Sequence, residues 1–383
     1  MLYFALKMLV ADKAKYWAIM AGLTFASCIV TQQAAIFLGV MDRTYSFISD
    51  TPLPNIWVMD RTTQYIDDNK GLKETDLYRV RSHEGIEWAV PLYKGLLQAR
   101  LRDGIFQTCN VIGIDDATLI GQPTMLEGDI KDLRMVDNAI IVDRVGAEGK
   151  LAKGLNGDKI PLRIGDTLEL NDSRCVVVGI CEVSRTFESQ PTIYLPYQRA
   201  VTIAPQQRKM LSFILAHSKP GLDPADVCRR IQTTTGLAAY TDHEFKDMTA
   251  HYYLKYTGIP LNFGMAVFLG FLIGVAIAGQ TFYSFTLDNL RYFGTFKAMG
   301  APNALLVRMI FTQAALAGAI GWGLGVGAAA TLGFFLANTE LSFKLPWQLL
   351  IASGAAILLI SLVAALLSIH RVLKLEPAIV FRS

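Results

Sequence analysis

Side chains able to do chemistry are scattered through this sequence, and few are spaced to act together. His83, His217, His243, His251 and His370 stand apart. His243 and His251 could share a helix with Glu244 and Asp247, but their spacing matches no standard metal box. The carboxylate pairs Asp67-Asp68 and Asp115-Asp116 fall in turn-like sequence, where solvated caps account for them. The stretches 146–150 and 154–159 come nearest to a phosphate loop, yet they lack the spacing of Gly-x-x-x-x-Gly-Lys and the hydroxyl that follows it. No Gly-x-Ser-x-Gly nucleophile turn occurs. Neither catalysis nor a metal or other cofactor is expected on this chain. If ATP-Mg drives it, a separate ATPase subunit must hold the nucleotide.

What remains is recognition chemistry, concentrated at 288–308. Asp288, Arg291, Tyr292, Phe293, Thr295, Phe296, Lys297, Ala298, Met299 and Gly300 put charge, aromatic rings and small residues between two long uncharged runs. Leu287, Leu290, Phe293 and Phe296 recur at a helix-like three-residue spacing. Gly300 stands where a helix ends in a left-handed residue, and Pro302 suits the first turn of the next helix. The expected element is a rigid helix-turn-helix, a handle that another protein could push.

The elements that position this handle are apolar. Of the 383 residues 52% are hydrophobic, and the uncharged runs 16–40, 256–287, 309–337 and 347–369 separate them from the charged ones. Each run reaches the ~20 residues that cross a bilayer. The intervening 42–255 carries 26 Lys and Arg against 29 Asp and Glu, a net −3. Nine of the ten remaining basic residues fall in 1–15, 288–308 and 370–383. That asymmetry places both termini and the handle in the cytoplasm, with 41–255 and the short loop 338–346 outside. Segment 1–15 reads equally as an amphipathic helix on the inner face or as the charged start of an uncleaved anchor. No basic-aromatic cluster points to nucleic acid. The runs hold no ionisable group, which disfavours an ion-coupled carrier. Gln32, Gln33, Gln280 and Gln313 suit interhelical hydrogen bonds. Gly270, Gly274, Gly321 and Gly325 form small-residue faces for close helix packing, within the subunit or across a dimer.

The region 41–255 reads as α/β, then mostly β, then α/β again. A strand at 55–59 and a helix at 75–83 lead to strands 86–101 and 105–114, joined by the hairpin signal Arg102-Asp103-Gly104. Short strands at 139–142, 167–170 and 174–181 follow, with Gly165-Asp166 and Asn171-Asp172 as turns. A strand at 212–216, a helix capped by Asp223-Pro224 and running to 233, and a strand at 238–240 close the region. Cys175 and Cys181 flank one strand, roughly 20 Å apart at about 3.3 Å per residue. A bridge needs about 7 Å or less, so buried thiols are expected, as for Cys109 and Cys228. The fold class is an α-helical membrane protein with four transmembrane helices plus a large extracytoplasmic α+β domain, a split α/β unit with a β-rich insert.

The segment Gly274-Val275-Ala276-Ile277-Ala278-Gly279-Gln280-Thr281-Phe282-Tyr283, followed by Thr295-Phe296-Lys297-Ala298-Met299-Gly300-Ala301, resembles the FtsX/MacB superfamily of ABC-transporter permeases. Within it the chain is most similar to the DevC-type permeases, and the segment 371–382 matches their closing stretch. The resemblance implies a MacB-like outer domain and a place in the bacterial inner membrane. It implies several partners: a cytoplasmic ABC ATPase subunit, a second copy of this chain, a periplasmic membrane-fusion adaptor and an outer-membrane channel. It implies export from the periplasm or outer leaflet. Lol-like extraction of lipid or lipoprotein and FtsX-like control of a cell-wall hydrolase are the rival readings. One position departs from the pattern. The family's acidic contact to the ATPase is replaced here by Tyr292 beside Arg291, so either Asp288 substitutes for it or an acidic partner surface meets Arg291 and Lys297.

Overall fold

A computed structural model describes residues 2–101, 103–155, 158–205, 210–336 and 341–373. The chain begins with α1 (Leu2–Ala11), α2 (Lys13–Thr44), α3 (Ser46–Ser49), β1 (Ile56–Met59), α4 (Glu74–Arg81), β2 (Ile86–Arg100), β3 (Phe106–Ile114) and β4 (Thr124–Glu127). It continues with α5 (Asp132–Met135), β5 (Ala139–Asp143), α6 (Arg144–Glu148), β6 (Lys153–Leu155), β7 (Asp158–Ile160), β8 (Thr167–Leu170), β9 (Ser173–Glu182) and β10 (Thr192–Pro196). Then come α7 (Tyr197–Ile203), β11 (Phe213–Ser218), α8 (Pro224–Thr235), β12 (Ala238–Thr241) and α9 (Asp242–Tyr256). The last elements are α10 (Ile259–Asp288), α11 (Leu290–Ala298), α12 (Asn303–Leu336) and α13 (Trp347–Leu373). Two compact units result: 1–40 with 258–383, and 41–257.

The unit 41–257 is built on a sheet of order β12-β1-β11-β2-β3-β10-β5-β9-β4, with β8 against β2 and β9. Its first half is laid down by both ends of the segment. β1 pairs antiparallel with β11 and β12, and β11 pairs with the first half of β2. The second half of β2 pairs with β3 and β8. The split α/β unit and its β-rich insert therefore share one strand. Leu77 and Val80 of α4, Val227 and Ile231 of α8, and Ala200 and Ile203 of α7 cover one face of the sheet. Phe47 and Ile48 of α3 and Phe245 of α9 belong to the opposite core, around Trp57 and Phe213.

Local chemistry sets the boundaries. Asp223 accepts from the Ala225 amide with Pro224 following, and Gly236 ends α8 at φ +74°. Thr241 and Glu244 make a reciprocal capping box that starts α9. Asp103 accepts from the Ile105 amide, and Gly104 takes φ +83°, in the expected hairpin; Arg102 lies outside the described residues. All five cysteines are free thiols. Buried Cys175 and Cys181 stand near opposite ends of β9, as the spacing argument required.

In the other unit, α2, α10, α12 and α13 are long and apolar enough to cross a membrane. The glycine faces lie inside this bundle. A Cβ on Gly274 would fall 2.6 Å from Ala26 Cβ, and one on Gly270 would fall 2.8 Å from Ile29 Cγ2, both on α2. On α12, Gly321 leaves the same clearance of 2.6 Å to Leu23 Cβ, and Gly325 abuts Thr24 and Ser27. Of the two uses expected for these glycines, the structure displays the one within the subunit. Ser27 Oγ donates to the Trp322 carbonyl at 3.2 Å, and Trp322 Nε1 donates to Ser353 Oγ at 3.1 Å, tying α2, α12 and α13 together. α1 packs on α12 through Ala5 and Leu9, and buried Gln313 donates from Nε2 to the Ala5 carbonyl at 2.7 Å. Gln280, also expected to bond between helices, is exposed.

Candidate coupling surface

The segment expected to act as a handle is α11, a short helix between α10 and α12. Asn289 makes the first joint. It caps the end of α10 and the start of α11, and its side-chain amide donates to the Phe285 carbonyl at 2.8 Å. The carbonyl of Asn289 then accepts from Tyr292 and Phe293 at 3.0 and 3.2 Å. The Asn289 backbone N–H reaches the same Phe285 carbonyl at 3.2 Å, so main chain and side chain of Asn289 both bond back to the preceding turn, the local competition by which asparagine interrupts a helix. The second joint is a Schellman turn. Ala301 N–H bonds the Phe296 carbonyl at 3.0 Å, Gly300 N–H bonds Lys297 at 3.1 Å, and Gly300 sits at φ +90°. Pro302 is found one residue before α12 rather than in its first turn, with its carbonyl accepting from Leu305 at 2.9 Å.

The two faces of α11 differ sharply. Phe293 is fully buried among Phe285, Leu306 and Ile310, with Leu290 and Phe296 packed at the edge of that cluster. Arg291, Tyr292, Thr295, Ala298 and Met299 form the opposite stripe, and Tyr292 and Met299 are 61% and 68% exposed. Lys297 is half-buried. This corrects one part of the sequence reading: Phe293 is not available to a partner, because its ring fills the core beneath the helix. Thr295 Oγ1 donates back to the Arg291 carbonyl at 2.9 Å, so this hydroxyl is engaged on its own helix.

Asp288 has a partner within the chain. Its carboxylate pairs with Lys15, which also bridges Asp12 at 3.2 Å. Asp12 caps α2, and the hydrogen bond from the Lys15 amide is the leading reason its carboxyl is held below the ordinary value. Lys15 and Asn289 are the residues that sequence reasoning missed at this site. The asparagine carried a local signal, since it sits between a long apolar helix and the charged stretch. The lysine carried none.

Two family models match the chain. Residues 264–377 match the FtsX-like permease C-terminal model, and residues 17–234 match the MacB-like periplasmic core domain, which spans more than half of the sequence. The chain belongs to the FtsX/MacB-type ABC transporter permeases. Uncharacterized ABC transporter permeases from two strains of Mycobacterium tuberculosis are each 24% identical to it over 311 residues, covering 80% of this permease and 78% of theirs. Among solved structures, the periplasmic region of MacB from Actinobacillus actinomycetemcomitans matches with a TM-score of 0.36 and 12% identity, over 52% of this permease and 94% of that chain. The extracellular domain of the noncanonic ABC-type transporter YknZ from Gram-positive bacteria gives 0.34 and 14%, over 49% and 98%. In the permease, the MacB-like match runs from α2 through most of the unit 41–257, and the FtsX-like match contains α11, α12 and most of α10.

Proposed function

We propose that this permease is the membrane subunit of an ABC exporter whose ATP is hydrolysed by a separate cytoplasmic ATPase gripping α11. The observation that carries the reading is the division of α11. A buried Phe293 locks one side while Arg291, Tyr292, Ala298 and Met299 form a stripe on the other. A handle transmits force only if its joints are stiff, and the Asn289 cap and the Gly300 turn supply that stiffness. The basic residues at 1–15, 288–308 and 370–383 support cytoplasmic termini and an outer 41–257 unit, in a bacterial inner membrane. The Lys-Ala-Met-Gly turn supports a DevC-type place in the family, with a second copy, an adaptor and an outer-membrane channel as further partners. The uncharged spans suit a machine that moves its outer domain to export substrate from the periplasm or outer leaflet, with no route through the membrane helices.

The pairing of Asp288 with Lys15 favours an acidic ATPase surface that meets Arg291 and Lys297. The test is Arg291→Glu in the permease co-purified with its ATPase. Interfacial charge pairs couple by about 1.5–7 kcal/mol, so stimulated ATPase activity should fall about tenfold or more while membrane insertion persists. A matching charge reversal on the ATPase should restore it. Full assembly and full stimulated activity in Arg291→Glu would refute the charge contact.

A further inference from the structure

The last turn of α9 is held differently from the turns before it. Phe245, Thr249 and Tyr253 form the buried side of the helix. Phe245 lies in the core, with its ring centroid 5.6 Å from that of Trp57 and 5.8 Å from that of Phe213. Tyr253 meets two loops instead. Its ring lies 5.6 Å from Tyr65 and 5.2 Å from Phe187, and its hydroxyl donates to Asp67 at 3.4 Å. Tyr252 beside it stacks on Tyr65 with centroids 4.1 Å apart. Lifting Phe245 would bring a fully buried ring into water. Lifting Tyr253 breaks ring contacts and one long hydrogen bond, a smaller loss because water takes over the hydroxyl.

Asp67 can give up that bond. The same carboxylate bonds the ammonium of Lys94 on β2, whose side chain is only 5% exposed. When Tyr253 leaves, acid and ammonium keep each other, and no buried charge is stranded. Asn69 Nδ2 donates to the Lys94 carbonyl at 2.7 Å, which keeps loop 60–70 on β2. A cavity of about 330 Å³ lies against Tyr65, Asp67 and Lys94, so the Tyr65 ring has space to turn. The other loop, 183–191, joins β9 to β10 and is tied at both ends. Ser184 donates to Asp50 from its amide at 2.7 Å and from its hydroxyl at 2.9 Å, and Lys150 Nζ donates to the Ser189 carbonyl at 2.8 Å. Between these ties Phe187 rests on Tyr253. Thr186 and Glu188, on either side of it, wall a chamber of about 50 Å³ that Lys94 and Asn110 also line.

We propose that the last turn of α9 is a clasp: Tyr253 and the segment 185–188 release together, opening the chamber beside Lys94, while Phe245 holds the earlier turns in place. The device lies wholly within 41–257, and only what pulls on α9, through 257–258 into α10, rests on the coupling reading. The experiment uses the full chain in lipid nanodiscs without any ATPase, so its failure leaves that reading standing. Amide exchange reports local opening. It is followed at 252–256 of α9, at Ser189, whose amide donates to the Thr186 carbonyl at 3.1 Å, and at 246–249 as the fixed reference. Tyr253→Phe removes the hydroxyl alone. Phe187→Ala, at a 39% exposed position, removes a surface ring. Each should speed exchange at both 252–256 and Ser189 about three- to tenfold, with 246–249 unchanged. A change confined to the substituted segment, no change at either place, or equal loosening at 246–249 would overturn the proposal.

Discussion

Replacing Gly321 with alanine tests the helical unit where a glycine of α12 meets a Cβ that cannot move aside. The new methyl would lie 2.6 Å from Leu23 Cβ and 3.4 Å from the Thr24 amide nitrogen. Carbon atoms rest about 3.5–4.0 Å apart, so α2 and α12 must part by about 1 Å. Leu23 Cβ is fixed to its backbone, so no rotamer change relieves the contact. Overpacking of this kind costs about 1–3 kcal/mol. Alanine also gains up to about 1 kcal/mol of helix propensity over glycine, which would mask part of the loss. Gly323 and Gly327 on the same helix remove that ambiguity, because a Cβ on either meets nothing within 4 Å. The difference between Gly321→Ala and Gly327→Ala should therefore read the steric term, about 1–3 kcal/mol. Unfolding by SDS in mixed micelles, followed by far-ultraviolet circular dichroism, measures it. Equal stability of the two variants, or a greater loss at Gly323 or Gly327, would mean that α12 packs through another face.

Three further outcomes are expected. Gly300→Ala meets no steric obstacle but must hold φ +90°, so the turn should lose about 1–2 kcal/mol; faster amide exchange at Gly300 and Ala301 is the readout, and unchanged exchange refutes the strain. Burial pushes the Cys175 thiol up to about 11 and those of Cys109 and Cys228 up to about 12. Raised folded-state values contribute stability below the ordinary value near 9.0 and lose it as pH climbs. The denaturation midpoint should thus fall between about pH 9 and 11, and alkylation at pH 8 should need prior unfolding. Finally, in a background without native cysteines, Arg229→Cys should react with an impermeant thiol reagent in cells with a permeabilised outer membrane, and Asn303→Cys should not; the reverse pattern refutes the topology.

Much of the architecture was legible because it rests on local chemistry. The uncharged runs, the Asp223-Pro224 start of α8, the Asp103-Gly104 hairpin and the left-handed Gly300 each need only neighbouring residues. β10 escaped notice. Thr192–Pro196 is a short run between loops, and only its seat between β3 and β5 makes it a strand. The orientation of α11 escaped for a geometric reason. At 3.6 residues per turn, each three-residue step falls about 60° short of a full circle. Here the spacing also runs across a break: Leu287 belongs to α10 and is exposed, while Leu290, Phe293 and Phe296 follow the Asn289 joint and spread across the buried side of α11. The engagement of Asp288 by Lys15 joins distant parts of the sequence, so no spacing rule could find it.

The shared strand β2 has a consequence for synthesis. β1 and β2 leave the ribosome well before β11, the strand that lies between them. The interval from Met59 to Phe213 takes roughly 8–30 s at bacterial-to-eukaryotic elongation rates of about 5–20 residues per second. During that time two apolar strands have unfilled edges, the condition that favours pairing with a neighbouring chain. The second half of β2 is occupied sooner, by the hairpin with β3 that forms locally. The nascent domain should therefore build its insert first and close its outer half last, when β11 slides between strands that have waited for it.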